Sequence, residues 1–318
     1  MHFRTAVPII NSDAPIDYDS KILSLGSCFA VNMAQKLDFY KFRNTCNPFG
    51  ILFHPKAIEL LINFAVSGKI FTENDIFFYN ERWHCFDAHS NWSNPNKEGL
   101  LASLNELIIT TKLQLVQATH LIVTYGTSWV YRDVESDSIV ANCHKVPQKQ
   151  FKKELLSVEE VEKSISDTLH LVRTVNPYCT IIFTVSPVRH IKDGFVENQW
   201  SKANLITAVH NVLSKQSSKH KSEYFPSYEI MMDELRDYRF YADDMLHPSQ
   251  VAIDYIWKRF QETTIAGSSI ATLEEIENIQ RSLLHKPFNP DSESHLKFEA
   301  KLREKITKLE HQYSFMKF

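Results

Sequence analysis

The segment Thr119–Tyr125 (THLIVTY) sets Leu, Ile and Val side by side, so an extended chain there is apolar on both faces and needs cover on both. Two further runs behave alike, Lys21–Leu25 (KILSL) and Thr180–Val185 (TIIFTV). Each stops at a chain breaker: Gly26-Ser27, Gly126 and Ser186-Pro187. Apolar residues at helical spacing lie between them, as in Phe29, Met33, Leu37 and Tyr40. Other helices are expected over Leu100–Gln117, from Ser157 to about Val175, and from about Gln199 to Lys219. Ser157 and Glu160 form a capping box, and Pro248 suits the first position of a further helix. Strands alternating with helices predict an α/β fold, a parallel sheet with helices on both faces. Ligands of such sheets bind at the carboxyl ends of the strands.

The chain has 318 residues, enough for one large domain plus an accessory segment. After Gly267 the pattern changes to two charged amphipathic stretches, Leu273–Leu284 and Ser292–Gln312, joined by His285–Pro290. We therefore expect one α/β domain over 1–265 and a helical appendage over 266–318 that contributes no catalytic group. A net charge of −3 gives no field that favours nucleic acid or an anionic membrane. No run is apolar enough to span a bilayer, and the N-terminus lacks a secretory signal pattern. The five cysteines have no CxxC or zinc-finger spacing, as expected of reduced residues in a cytoplasmic protein. No cofactor or metal is expected. Glycine is scarce, only seven residues, so it is expected where backbone freedom or close approach excludes a side chain. Gly26, Gly50 and Gly126 all fall in loops that face the sheet edge.

The turn Gly26-Ser27-Cys28 puts a hydroxyl where a parallel strand hands over to a helix, beside the free N–H groups of the helix start. Taken alone, Ser27 reads as an ordinary helix cap. Asp244-Met-Leu-His247 supplies an acid three residues before an imidazole, a spacing that lets the carboxylate orient the ring for proton transfer. Alone, it is a common surface pair. Asn47-Pro-Phe-Gly50 and Gly126-Thr-Ser128-Trp129 offer donors to an oxyanion: the Gly50 N–H, the Asn47 amide and the Thr127 or Ser128 hydroxyl.

Together with Asn47–Pro55 (NPFGILFHP), Gly126–Tyr131 (GTSWVY), Val185–His190 (VSPVRH), Phe3-Arg-Thr5, Ser201-Lys-Ala203 and Leu246–Ser249 (LHPS), the run Gly26-Ser-Cys-Phe-Ala30 resembles the bacterial GSCFA domain family over nearly the whole chain. That family resembles the SGNH (GDSL-like) hydrolases, which implies a flavodoxin-like three-layer fold. By position, the resemblance makes Ser27 the nucleophile, Asp244 and His247 its partners, and Gly50 an oxyanion glycine. Where that superfamily has Gly-x-Asn, this chain has Gly126-Thr127-Ser128, a hydroxyl in place of the amide. Ser128 is expected to replace it beside the Ser27 and Gly50 N–H groups, with Thr127 and Asn47 the alternatives.

Arg189, His190 and Trp129 are expected at the same rim, in contact with substrate. Arg189-His190 reads equally well as a structural pair, with Asp193 as its counter-ion. His84–His89 (HCFDAH) has metal-compatible residue types but no familiar ligand spacing, and is read as a pocket wall. Ser201-Lys202 is set aside as a catalytic dyad because it lies inside a helix. The expected activity is hydrolysis of an O-acyl ester, an O-acetyl ester of a carbohydrate foremost. The alternatives are an O-acyltransferase with the same triad, or a non-catalytic glycan-binding module.

Overall fold

The computed structural model describes residues 5–216 and 221–318. Phe3, Arg4 and the expected helix end at Lys219 lie outside them. In chain order the strands are β1 (Lys21–Gly26), β2 (Arg43–Cys46), β3 (Phe77–Tyr79), β4 (Arg82–His84), β5 (His120–Tyr125), β6 (Trp129–Asp133), β7 (Ile139–Val140), β8 (Phe151–Leu155), β9 (Thr180–Val185) and β10 (Ser222–Tyr224). The helices are α1 (Cys28–Phe39), α2 (Pro55–Ser67), α3 (Lys97–Gln117), α4 (Val158–Val175), α5 (Phe195–Ser214), the single turn α6 (Ser227–Glu229), α7 (Gln250–Thr264), α8 (Ile270–Leu283) and α9 (Glu293–Gln312).

Five strands form one parallel sheet in the order β10-β9-β5-β1-β2. Counted among themselves this is 2-1-3-4-5, the flavodoxin order, so the chain reverses direction between β1 and β5. Right-handed crossovers on either side of that reversal send helices to opposite faces. Leu23, Leu25, Leu121, Val123, Ile181 and Phe183 pack under α2, α3, α4 and α5. The alternate residues Ile22, Ile122 and Ile182 face α1 and α7. Both faces of β5 and β9 are thus apolar and buried, as the unbroken Leu/Ile/Val runs require.

The C-terminal helices join the second layer. Leu273, Ile276 and Ile279 of α8 and Leu309 of α9 share one buried cluster with Ile16, Tyr18 and Trp257. The two small antiparallel pieces, β3-β4 and β7-β6-β8, flank the carboxyl edge of the sheet. They escape a reading of the sequence because short, mixed-polarity strands such as Arg82–His84 carry little period-2 signal. The capping box at Ser157 and Glu160 forms. Pro248 does not open the next helix. It pairs in a β-bridge with Tyr241, and Ser249 caps α7 instead, its Oγ accepting the Ala252 N–H at 3.4 Å.

Gly26 ends β1 at φ +139°, and a Cβ there would stand 2.1 Å from the Thr124 carbonyl oxygen of β5. No other residue fits, because both the dihedral and the contact exclude a side chain. Gly26→Ala is expected to lower stability by at least about 3 kcal/mol in urea unfolding. A wild-type midpoint in that variant would refute the constraint.

Candidate active site

The tight join between β1 and β5 delivers Ser27 to the sheet edge. Its N–H continues the ladder to the Thr124 carbonyl at 3.0 Å, and α1 begins at the next residue. Ser27 occupies the N-cap position with extended dihedrals, yet its hydroxyl caps no N–H. The residue is 0% exposed, and Oγ has no hydrogen-bond partner among the described residues. A buried hydroxyl without a partner costs roughly 1–3 kcal/mol, so the ordinary capping role does not account for it.

A methyl group built on Gly126 would stand 3.1 Å from Ser27 Cβ, 3.2 Å from the Phe53 carbonyl oxygen and 3.3 Å from His190 Nε2. The strand ends therefore enclose a small space lined by the serine, a carbonyl and an imidazole nitrogen. His190 Nε2 is itself buried and, among the described residues, unpartnered. The His190 ring meets Phe53 edge-on at 5.8 Å, and its backbone N–H donates to Asn198 Oδ1 of α5 at 2.8 Å.

Asp244 and His247 lie on the loop before α7, their side chains 45% and 44% exposed. His247 Nδ1 and Asp244 Oδ2 are 2.6 Å apart, and the other carboxylate oxygen accepts the N–H groups of Leu246 and His247. These backbone donors, then the imidazole, hold the Asp244 carboxyl down at about 2. His247 makes no hydrogen bond to Ser27 Oγ. His247 and Leu246 line one cavity of about 520 Å³ together with Cys28, the residue after Ser27. Such contacts commonly close only when substrate is bound.

The expected donors divide sharply. The Ser27 N–H is taken up by Thr124, and the Gly50 N–H by the Asn47 carbonyl at 2.8 Å. Ser128 turns toward α5 instead of the serine. Its Oγ donates to the Ser201 carbonyl at 3.1 Å and its N–H to Ser201 Oγ at 2.7 Å. Thr127 Oγ1 joins the same hydroxyl at 3.0 Å. Short side chains on the loop after β5 reach the adjacent helix before they can reach the serine. Asn47 differs: its Oδ1 accepts the N–H of Gly26, the residue before Ser27, at 2.7 Å, and its Nδ2 is buried without a partner among the described residues. Asn47 adopts φ +46°, a region asparagine tolerates well.

Trp129, Arg189 and His190 all line the cavity, together with Tyr131, Asn142 and Val188. Trp129 Nε1 donates to the Glu197 carbonyl at 3.2 Å, and Lys153 sits 4.6 Å above its ring. Arg189 does not pair with Asp193, which takes Lys153. It instead holds the Asp244–His247 loop: Nη1 donates to the Met245 carbonyl at 2.9 Å and the backbone N–H to that of Leu246 at 3.0 Å. Phe195, Tyr238 and Tyr241 surround its guanidinium at 5.2 to 5.8 Å. His84 meets His144, Nδ1 to Nδ1, at 3.1 Å, and ties the β3-β4 hairpin to the cavity wall. Among the described residues no cluster of three or more His, Cys, Asp or Glu could hold a metal ion.

Lys202 is the residue that sequence reasoning passes over. It is 1% exposed, and its ammonium donates to the Gly126 and Ser186 carbonyls at 2.6 Å each, bridging the ends of β5 and β9. Burial pulls its pKa down to about 7. Its signal is present in the sequence: Asn198, Ser201, Lys202 and Leu205 share the inward face of α5, where a lysine is out of place. Burial also holds His190 down at about 3, with the Lys202 and His247 charges adding to it. Cys28 lines the cavity, but burial raises its thiol, which opposes a nucleophilic role.

His54 is neutral by the same cause, held at about 4 by burial, while its Nδ1 accepts the Ala57 N–H and its Nε2 donates to the Val140 carbonyl. Between these depressed values and about 6.5, the unfolded chain binds protons that the folded chain refuses. Stability therefore rises with pH across that window and is fully present above it. His54→Asn, which keeps a capping side chain, should reduce the slope of stability against pH between pH 5 and 6 by about 1 kcal/mol per unit. Urea midpoints taken at half-unit steps will test this, and an unchanged slope refutes it.

No curated protein matches the chain significantly. Solved structures that are similar at low levels include two esterases. The crystal structure of a mutant acetyl esterase with an acetate ion has 8% identity and a TM-score of 0.37, with 81% of this chain and 99% of that chain covered. An acetyl xylan esterase from the rumen bacterium Butyrivibrio proteoclasticus has 12% identity and a TM-score of 0.33, with 78% and 65% covered. Residues 276–318 match the C-terminal domain of GSCFA domain proteins. Residues 21–260 match the GSCFA family itself. With three quarters of its length in that match, the chain belongs to the GSCFA family.

Proposed function

We propose that this protein is a serine esterase of the SGNH type that hydrolyses O-acyl esters, O-acetyl groups on carbohydrates foremost. The observation that carries this reading is the buried Ser27 hydroxyl, which sits at a helix cap, caps nothing and has no partner among the described residues. Ser27 Oγ attacks the acyl carbon while His247 accepts its proton, and Asp244 holds the imidazole in place. The carbonyl electron pair moves to oxygen and is stabilised by the free Asn47 Nδ2–H. The pair then returns, the alcohol leaves with the proton from His247, and water releases the acid from the acyl-enzyme by the same route. The rings of Trp129 and Tyr131 on the cavity wall suit the apolar face of a sugar.

Mass spectrometry after treatment with a fluorophosphonate should place the label on Ser27, and Ser27→Ala should remove it. Asp244→Asn should fold normally and turn over p-nitrophenyl acetate at least tenfold more slowly. Label on Cys28, or an Asp244→Asn variant as active as wild type, would refute the assignment. An acyl-enzyme that persists in water and discharges onto an added sugar identifies a transferase. No label at all identifies a binding module.

A further inference from the structure

The geometry points to His190 as a second catalytic donor: we propose that its Nε2–H stabilises the oxyanion formed on the acyl group attached to Ser27. This rests on the esterase reading above and deepens it. The Gly126 space is bordered by Ser27 Cβ and His190 Nε2, and among the described residues both Ser27 Oγ and His190 Nε2 are buried and unpartnered. An orphaned donor beside a nucleophile is satisfied when substrate supplies an acceptor, and the oxygen of a tetrahedral intermediate is such an acceptor. Four of the other donors near the strand ends are engaged. Lys202 holds two strand-end carbonyls, Ser128 holds Ser201, and the Ser27 and Gly50 N–H groups hold main-chain carbonyls. Asn47 Nδ2 and His190 Nε2 remain.

The imidazole is also in the right state for donation. With its pKa at about 3, from burial and the neighbouring Lys202 charge, His190 stays neutral at any working pH. A base that weak cannot take a serine proton efficiently, but a neutral ring in the Nε2–H tautomer donates without giving up its own proton. The step balances accordingly. Ser27 Oγ bonds to the acyl carbon, the serine proton passes to His247, and the carbonyl electron pair becomes the oxyanion that accepts from Nε2–H. His190 keeps its proton throughout. Lys202 is a positioning residue here: its charge disfavours the imidazolium form, and its hold on the Gly126 carbonyl sets the space.

The experiment compares His190→Leu with His190→Gln, whose amide nitrogen falls near the position of Nε2. Leucine should lower kcat/KM for p-nitrophenyl acetate by ten- to a thousandfold with KM little changed. Glutamine should recover at least tenfold of that loss, and both should keep the acid limb of the wild-type pH profile. Leucine within twofold of wild type overturns the proposal, as does glutamine no better than leucine, or loss of the acid limb, which would make His190 the base. If the leucine variant does not fold by thermal denaturation, glutamine still decides. A folded glutamine variant within about tenfold of wild type and with the same limb supports donation. One impaired more than about a thousandfold refutes it. A wild-type protein that neither labels nor turns over defeats the esterase reading itself. Turnover that survives His190→Leu defeats only the role given to His190.

Discussion

Everything at the site hangs on how closely the ends of β1 and β5 approach. The last residue of β1 presses its Cα against the carbonyl of Thr124, so only glycine stands there. The following N–H closes one more ladder bond at 3.0 Å, and the chain turns straight into α1. Ser27 is therefore carried by a sheet buried on both faces, and its position has little freedom. Such precision comes from a rigid element; a loop would leave the serine to wander. The strand order adds the second condition. Because the chain reverses between β1 and β5, the loops at this edge diverge and leave room above it.

Around that anchor the site is assembled from parts of unlike environment. Ser27 and Lys202 are buried, and the partly buried His190 keeps its Nε2 out of water with them, in a dry layer built from the strand ends and the inward face of α5. The Asp244–His247 pair occupies a wet loop, with both side chains nearly half exposed. In the dry layer burial alone carries the imidazole far down, and a single lysine charge nearby adds to it because little water screens it. In the wet layer an ion pair is worth little by itself, and orientation depends on the hydrogen bonds that fold the loop.

The fold was legible because Leu121-Ile-Val123 in β5 and Ile181-Ile-Phe183 in β9 set apolar side chains side by side, a pattern that a doubly covered strand explains. The serine turn and the Asp–His spacing were legible for a similar reason, since each is local in sequence. Which of the candidate donors stay free was not. Ser128 looked suitable by position, but its hydroxyl reached Ser201, seventy-three residues away, at 3.1 Å. Lys202 is set aside with Ser201 because it lies inside a helix, and its partners in space, Gly126 and Ser186, are distant in sequence. Long-range pairings of this kind leave only a faint trace: a polar residue on the apolar face of a helix.

The grip of Arg189 on the loop before α7 has a consequence for how that loop is encoded. Arg189 touches the carbonyls of Met245 and Leu246, and Asp244 receives the N–H groups of Leu246 and His247. Met245 adopts φ +59° while its side chain stands 46% exposed. Its contribution is thus made by its peptide group alone. The mount of the imidazole is written in main-chain atoms, and what position 245 must preserve is a left-handed backbone, open to glycine, asparagine and unbranched side chains and closed to β-branched ones.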